Sequence, residues 1–208
     1  MKEAIIFDMG GVLLDLDLEA CSNAFKQDLG FMQIDEILDA FHQKGIFSDL
    51  EQGLVSADGF RSHVLANSRP GCTPEDVDKA VWAILAGLPQ DKAELLRSLS
   101  CKYRIYLLSN TNPIAMVAAG RMFDGAGVPL DRIFTKCYLS YEMKMLKPSL
   151  EFYEAVANDI AVEKDRMLFI DDSMANVEAA HMAGIPAVRY IPGESLADLV
   201  DAALEGGR

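Results

Sequence analysis

Four stretches of this 208-residue chain carry side chains that can do chemistry, and each lies at or near the end of a strand-like run. Asp8 closes Ala4-Ile5-Ile6-Phe7 and is followed by Met9-Gly10-Gly11. Its carboxylate is either the polar residue of a turn, or a nucleophile or metal ligand beside which Gly10 and Gly11 let the backbone approach an anion. Asp171-Asp172-Ser173 closes Met167–Ile170. Asp172 or Ser173 would suffice to cap the next helix. Adjacent carboxylates also repel each other, and a hard divalent cation such as Mg²⁺ would relieve that repulsion. Ser109-Asn110-Thr111 either caps a helix starting near Pro113 or offers a hydroxyl and backbone N–H groups to phosphate oxygens. Lys147, just before Pro148, is either a surface lysine or a cation that neutralises a transferring group and keeps a nearby carboxylate ionised.

The elements that position these groups follow from hydrophobic texture. Ala4–Phe7, Arg104–Leu108, Phe134–Leu139, Met167–Ile170 and Ala187–Tyr190 read as short strands buried on both faces. Between them, Leu150, Tyr153, Val156 and Ile160 recur at helical spacing over Ser149–Ile160, and Met174–Ala183 forms a helix that Gly184 stops before Pro186. Alternation of this kind predicts an α/β fold with a parallel sheet. Such sheets bind ligands outside the carboxyl ends of their strands, where Asp8, Ser109-Asn110 and Asp171-Asp172 fall. Residues from about 15 to 88 show no strand texture. Asp17 predicts the cap of a helix bearing Leu18, Cys21, Phe25 and Leu29 and ended by Gly30. Ile34, Ile37, Leu38 and Phe41 mark a second helix, stopped by Gly45. Thr73-Pro74-Glu75-Asp76 opens a third, carrying Val77, Val81, Ile84 and Leu85.

The 19 Lys and Arg against 32 Asp and Glu give a net charge of −13, with half the residues apolar. That is ordinary globular composition. It argues against a general nucleic-acid or anionic-membrane partner, which would need a basic footprint. Phosphate esters are not excluded, since they answer to local charge. Cys21, Cys72, Cys101 and Cys137 show no CxxC spacing and read as reduced thiols. No apolar run approaches the length of a signal core or a membrane span. A soluble, cytoplasmic protein, monomeric or weakly dimeric, is expected. His42, His63 and His181 share no ligand spacing and read as helix-face residues, while Trp82 and the methionines read as packing.

The order of the four stretches is more specific than any one of them. Ile6-Phe7-Asp8-Met9-Gly10-Gly11-Val12-Leu13, Leu107-Leu108-Ser109-Asn110-Thr111-Asn112, Lys147-Pro148 and Phe169-Ile170-Asp171-Asp172-Ser173-Met174-Ala175-Asn176 resemble, in sequence, the four motifs of the haloacid dehalogenase-like hydrolase superfamily. The resemblance implies a Rossmann-like parallel-sheet core (residues 1–14 and 89–208) carrying an inserted all-helical cap (residues 15–88). Within the branch so capped, the chain is similar to the α-D-glucose-1-phosphate phosphatase-like proteins and the phosphatase domain of soluble epoxide hydrolase. The cap stretch Phe47–Phe60, with Glu51 and Gly53, adds to that likeness.

The resemblance implies a Mg²⁺-dependent phosphatase acting on a small phosphomonoester such as a sugar phosphate. Asp8 would be the nucleophile and would form an aspartyl-phosphate that water hydrolyses. Mg²⁺ would be held by Asp8, the Gly10 carbonyl and the pair Asp171-Asp172, with Asp172 the more direct ligand. Gly10, Gly11, Ser109, Asn110 and Lys147 would bind the phosphate, and Asn176 would support the site. Most phosphatases of the superfamily carry a second aspartate, a general acid and base, where this chain has Gly10; such help is worth roughly 10²–10⁴-fold. Asp15 or Asp17 is the expected surrogate. Lys144 stands where the family usually has glycine, and Leu146 where it often has a basic residue; Lys144 is expected to face solvent. Phe47, Glu51 and Lys44 are the cap residues expected near the leaving group. Two rival chemistries are a 2-haloacid dehalogenase, which works without metal and with a less acidic fourth motif, and a regulatory pseudo-phosphatase without turnover.

Overall fold

The computed structural model describes residues 2–38 and 43–205. The chain begins with β1 (Ala4–Phe7), then leaves the core through β2 (Asp15–Leu16). The cap follows as α1 (Leu18–Asn23), a π-helical continuation over Ala24–Leu29, α2 (Ile34–Ile37), α3 (Gly45–Glu51), α4 (Ala57–Ala66) and α5 (Pro74–Trp82). The chain returns through β3 (Leu85–Gly87) and builds the core from α6 (Gln90–Ser100), β4 (Arg104–Ser109), α7 (Pro113–Gly125), α8 (Leu130–Ile133), β5 (Lys136–Leu139) and α9 (Ser140–Met143). It ends with α10 (Leu150–Ile160), β6 (Met167–Asp171), α11 (Met174–Met182), β7 (Ala187–Arg189) and α12 (Leu196–Glu205).

Five strands form the parallel sheet in the order β5-β4-β1-β6-β7. Successive residues of a strand point to opposite faces, and β1 shows the result. Ile5 and Phe7 pack with Leu96, Phe123 and Val200 in one layer. Ala4 and Ile6 pack with Phe152, Val156 and Ala180 in the other. Both faces of β1 are therefore dry, which accounts for its unbroken apolar run. The register sets Phe7 beside Leu107 on one side and Ile170 on the other. Residues that leave these three strands at their carboxyl ends thus emerge together. Connections run from β1 outward to β4 and β5 on one side and to β6 and β7 on the other, a topological switch point.

The cap has its own core, built around Phe25, Phe31, Phe47 and Phe60 and completed by Ile114 and Ala115 of α7. The rings meet edge to face, with centroids 5.9 Å apart for Phe25–Phe31 and 4.9 Å for Phe47–Phe60. Asp17 caps α1 by accepting from the Ala20 N–H (2.8 Å), and Thr73 and Asp76 form a reciprocal capping box on α5. The Trp82 indole N–H donates to the Ile114 carbonyl (2.8 Å) and ties the end of α5 to the core.

Two expectations for the cap need correction. The region 15–88 contains strand after all: β2 and β3 pair antiparallel where the chain crosses between core and cap. Two- and three-residue strands are too short to show an alternating pattern, and Leu85, expected on the third cap helix, belongs to β3 because α5 ends at Trp82. Gly45 opens α3 instead of stopping the helix before it. Phe41 and His42 lie outside the described residues.

Phe60 is fully buried in the aromatic cluster. Phe60→Ala is expected to lower the unfolding free energy by about 3–5 kcal/mol, read as a lower urea midpoint.

Candidate functional site

Asp8 leaves the end of β1 with its N–H donating to the Ile170 carbonyl (2.9 Å), so β6 still holds it in register. The chain then turns sharply, and the Gly11 N–H donates to the Leu14 carbonyl (2.8 Å). The Asp8 carboxylate accepts from the Met9 N–H (2.7 Å) and lies 2.9 Å from the Lys147 ammonium. Lys147 Nζ also reaches Asp171 at 2.7 Å, and its side chain is only 1% exposed. Asn110 fixes this lysine through its backbone, accepting from the Lys147 N–H (2.8 Å) and donating to the Lys147 carbonyl (3.0 Å). Lys147 is therefore not a surface residue.

The two adjacent aspartates do different work. Asp171 is fully buried and accepts from Lys147, from the Ser173 N–H (2.8 Å) and from the Asn176 amide (2.9 Å). Asp172 is half-buried, and neither it nor Ser173 caps α11 with its side chain. The capping reading fails, and the Asp172 carboxylate is free of it. A Cβ at Gly11, whose φ is +78°, would lie 2.2 Å from Asp172 Oδ2, so glycine is what lets the first loop lie against this carboxylate.

Asp8, Asp171 and Asp172 each bring one carboxylate oxygen within 4.8 Å of the others. Asn176 Oδ1, at the same cluster, is buried and accepts no hydrogen bond among the described residues. Hard anionic oxygens beside an unsatisfied acceptor fit a divalent cation of the Mg²⁺ type.

Burial dominates the electrostatics. It pushes the Asp8 carboxyl up to about 7, against the pull of the Lys147 ammonium and with the repulsion of Asp171 added. It raises Asp172 as well, with Asp171 again contributing. Burial opposes the Lys147 charge too, yet Asp171 and Asp8 together hold its pKa above the usual lysine value. On the cap side, burial lifts Glu51 to about 8, with Asp8 adding and Lys147 opposing.

These groups share one cavity between core and cap, lined in part by Asp8, Gly10, Phe47, Glu51, Ser109 and Asp172. Asn110, Lys147 and Asn176 line it as well, so most of the sequence-predicted site residues meet there. Asp15 and Asp17 do not. Asp15 pairs with Lys92 (2.9 Å) and is 57% exposed, and Asp17 is spent on its cap, so neither is placed as a surrogate acid. Lys44 does not line the cavity either. Asn112, not Ser109 or Asn110, caps α7, accepting from the Ile114 and Ala115 N–H groups. Ser109, at the end of β4, is thereby left out of the cap, and its hydroxyl donates to the neighbouring Asn110 carbonyl at 3.4 Å. Lys144 sits on the exposed side as expected, but its ammonium donates to the Gly53 carbonyl of the cap (2.9 Å). His63 packs against Phe31, and His181 bonds to the Ala187 backbone; neither lines the cavity.

Sequence reasoning missed Ser140. Its hydroxyl accepts from the Thr111 N–H (2.9 Å) and donates to the Glu51 carbonyl (2.6 Å). The signal was available: Ser140 immediately follows β5, the same strand-end position that singled out Asp8 and Asp171.

Fold and site together describe a capped α/β enzyme with its polar groups gathered at a switch point. The haloacid dehalogenase-like hydrolase family model matches residues 2–184, and the chain belongs to that family. It is 35% identical to the D-ribitol-5-phosphate phosphatase of Bacteroides thetaiotaomicron over 88% of this chain and 89% of that one. A crystal structure of a family enzyme from the same organism, in complex with magnesium and inorganic phosphate, superposes with a TM-score of 0.89 at 35% identity, covering 96% of this chain and 99% of that one. A predicted family hydrolase from Porphyromonas gingivalis has a TM-score of 0.88 at 33% identity, covering 98% of each chain. The L-2-haloacid dehalogenase of Xanthobacter autotrophicus (TM-score 0.61, 18% identity, 99% of this chain and 84% of that one) shares the fold alone.

The raised carboxyls set a pH dependence of stability. Asp8 and Glu51 bind protons more tightly when folded, so the native state loses stability as pH rises from ordinary carboxyl values through about 7 to 8. In EDTA, Asp8→Asn is expected to melt higher than wild type at pH 8, by about 3 °C for each kcal/mol relieved. The gap should close toward pH 5. Lys147 keeps Asp171 as a partner in the variant. A lower midpoint for the variant at pH 8 would contradict this account. A second expectation concerns the displaced candidates: Asp17→Asn and Asp15→Asn should leave kcat essentially unchanged.

Proposed function

We propose that the chain is a Mg²⁺-dependent phosphatase that hydrolyses a small phosphomonoester of the sugar- or sugar-alcohol-phosphate type, with Asp8 as the nucleophile. One observation carries the reading: a carboxylate at a strand end lies 2.9 Å from a buried ammonium, with a second, uncapping carboxylate at Asp172 beside it. The substrate class is supported by the likeness to the ribitol-phosphate phosphatase.

In this reading an Asp8 oxygen attacks phosphorus as the ester O–P bond breaks, giving an aspartyl-phosphate and an alcohol. Water then attacks the same phosphorus, the Asp8–phosphorus bond breaks, and inorganic phosphate leaves. Lys147 stabilises the equatorial oxygens and, by opposing the burial that raises Asp8, favours the ionised form that attacks. Ser109 and the backbone N–H groups of the first two loops donate to the same oxygens, and Asn110 orients Lys147. Asp8, Asp172 and the Gly10 carbonyl would hold Mg²⁺, with Asp171 behind them engaged by Lys147. When bound, the cation neutralises charge on the phosphoryl group and offsets the mutual repulsion of the carboxylates. The dehalogenase alternative has no use for a free Asp172.

Four unpaired cysteines support a cytoplasmic site of action. Among the described residues no helix is long and apolar enough to cross a membrane. Exposed large apolar residues such as Met32, Leu54 and Met182 are scattered over separate elements, which supports a monomer or weak homodimer without a nucleic-acid or membrane partner.

Phosphate release should be measured over sugar 1-phosphates, sugar and alditol 5- and 6-phosphates, nucleotides and acyl phosphates, with Mg²⁺ and with EDTA. Wild type is expected to turn over an alditol or sugar phosphate. EDTA should abolish the activity, and Asp8→Asn should lower it by roughly 10³-fold or more. Halide release from 2-chloropropionate, undiminished by EDTA, would overturn the reading.

A further inference from the structure

Gly10 leaves the reacting centre without a carboxyl group two residues after Asp8, and a Cβ there would lie 3.2 Å from the Leu16 side chain. An alkoxide leaving phosphorus must therefore take its proton from another group in the cavity. Among the described residues, four ionisable side chains line that cavity: Asp8, Lys147, Asp172 and Glu51. Lys147 is committed to Asp8 and Asp171, and Asp172 lies in the acidic cluster. Glu51 is the one left over. It faces the cavity from the cap, and no described hydrogen bond or ion pair engages its carboxyl group.

Its backbone is clamped to the core. The Glu51 carbonyl accepts from Ser140 (2.6 Å), and the Gly53 carbonyl accepts from Lys144 (2.9 Å). Gly53 itself lies so close to the Tyr141 carbonyl that a Cβ would sit 2.2 Å from that oxygen. All three anchors belong to the short stretch of core that ends in Lys147. The segment that positions the phosphate-facing ammonium thus also positions Glu51.

Building on the phosphatase reading above, we infer that Glu51 is the general acid and base of the reaction. In the first step its carboxyl proton passes to the bridging ester oxygen as the bond from that oxygen to phosphorus breaks, so the alcohol leaves neutral. In the second step the Glu51 carboxylate takes a proton from water as the water oxygen bonds to phosphorus and the Asp8–phosphorus bond breaks. Both residues return to their starting forms. Burial, with Asp8 adding, keeps Glu51 protonated near neutral pH and ready for the first step.

Leaving-group dependence separates proton donation from a mere contact with the substrate. Glu51→Gln preserves shape and polarity but carries no transferable proton. kcat and KM should be measured for ribitol 5-phosphate, whose alkoxide needs a proton, and for p-nitrophenyl phosphate, whose phenolate leaves unaided. The ratio of kcat/KM for the alkyl ester to that for the aryl ester is expected to fall by roughly 10²-fold or more, through kcat, in Glu51→Gln. Glu51→Asp should recover part of the loss, and it supplies the reading if the glutamine variant does not fold. An unchanged ratio, an equal fall for both esters, or a fall through KM alone would overturn the assignment while leaving the phosphatase reading intact. Absence of phosphate release by wild type from any ester in Mg²⁺ would overturn both.

Discussion

A single ammonium group, closed off from water between two carboxylates, sets the terms for the rest of the site. Removing an ion from water costs several kcal/mol even after relaxation, and only good geometry offsets it. Lys147 has that geometry, with Asp8 and Asp171 at 2.9 and 2.7 Å and Asn110 gripping its peptide groups on both sides. Such a pair contributes little net stability compared with apolar packing. What it contributes is placement of positive charge inside the cavity of a strongly acidic molecule, where an entering dianion needs it.

The division of labour within Asp171-Asp172 follows from strand geometry. Asp171 is the last residue of β6 and shares the dry interior, so its oxygens must be satisfied by protein donors, and they are. Asp172 is the first residue beyond the strand, turned into the cavity against Gly11. Two neighbours of the same type thus serve different ends, one holding the lysine and one facing the ligand side. The glycines of the first loop are matched to this arrangement. Gly11 makes room for a carboxylate, whereas a Cβ at Gly10 would lie 3.2 Å from the Leu16 side chain.

Much of this was legible in the sequence because it rests on local signals. Unbroken apolar runs ending in Asp8, Ser109 and Asp171 mark strands buried on both faces, and register then carries the residues just beyond them to one edge. Asp17 and the Thr73–Asp76 box announced their helices through capping chemistry. What escaped depends on contacts remote in sequence. Asp15 looked available, yet its fate is decided by Lys92, 77 residues away. Whether Asp172 caps a helix or faces a cavity is settled by Gly11 from the first loop. The β2–β3 ribbon is made by the chain crossing twice at one place, and neither crossing carries enough residues to show a period. Lys144 was expected in solvent, and only its tertiary neighbour Gly53 reveals that its ammonium reaches the cap.

Ser140 deserves its place in this picture for a reason of energetics. Its one hydroxyl joins an amide of the core, at Thr111, to the carbonyl at the end of α3, at Glu51. Were α3 and α9 to part, the Glu51 carbonyl would be left to water, while the hydroxyl would still have the Thr111 carbonyl 3.0 Å away as an acceptor. A bond of ordinary net worth, about 1 kcal/mol, sets roughly fivefold as the most that this contact can favour the arrangement seen. The contact between cap and core beside the site is thus weighted in part by an oxygen that does not line the cavity.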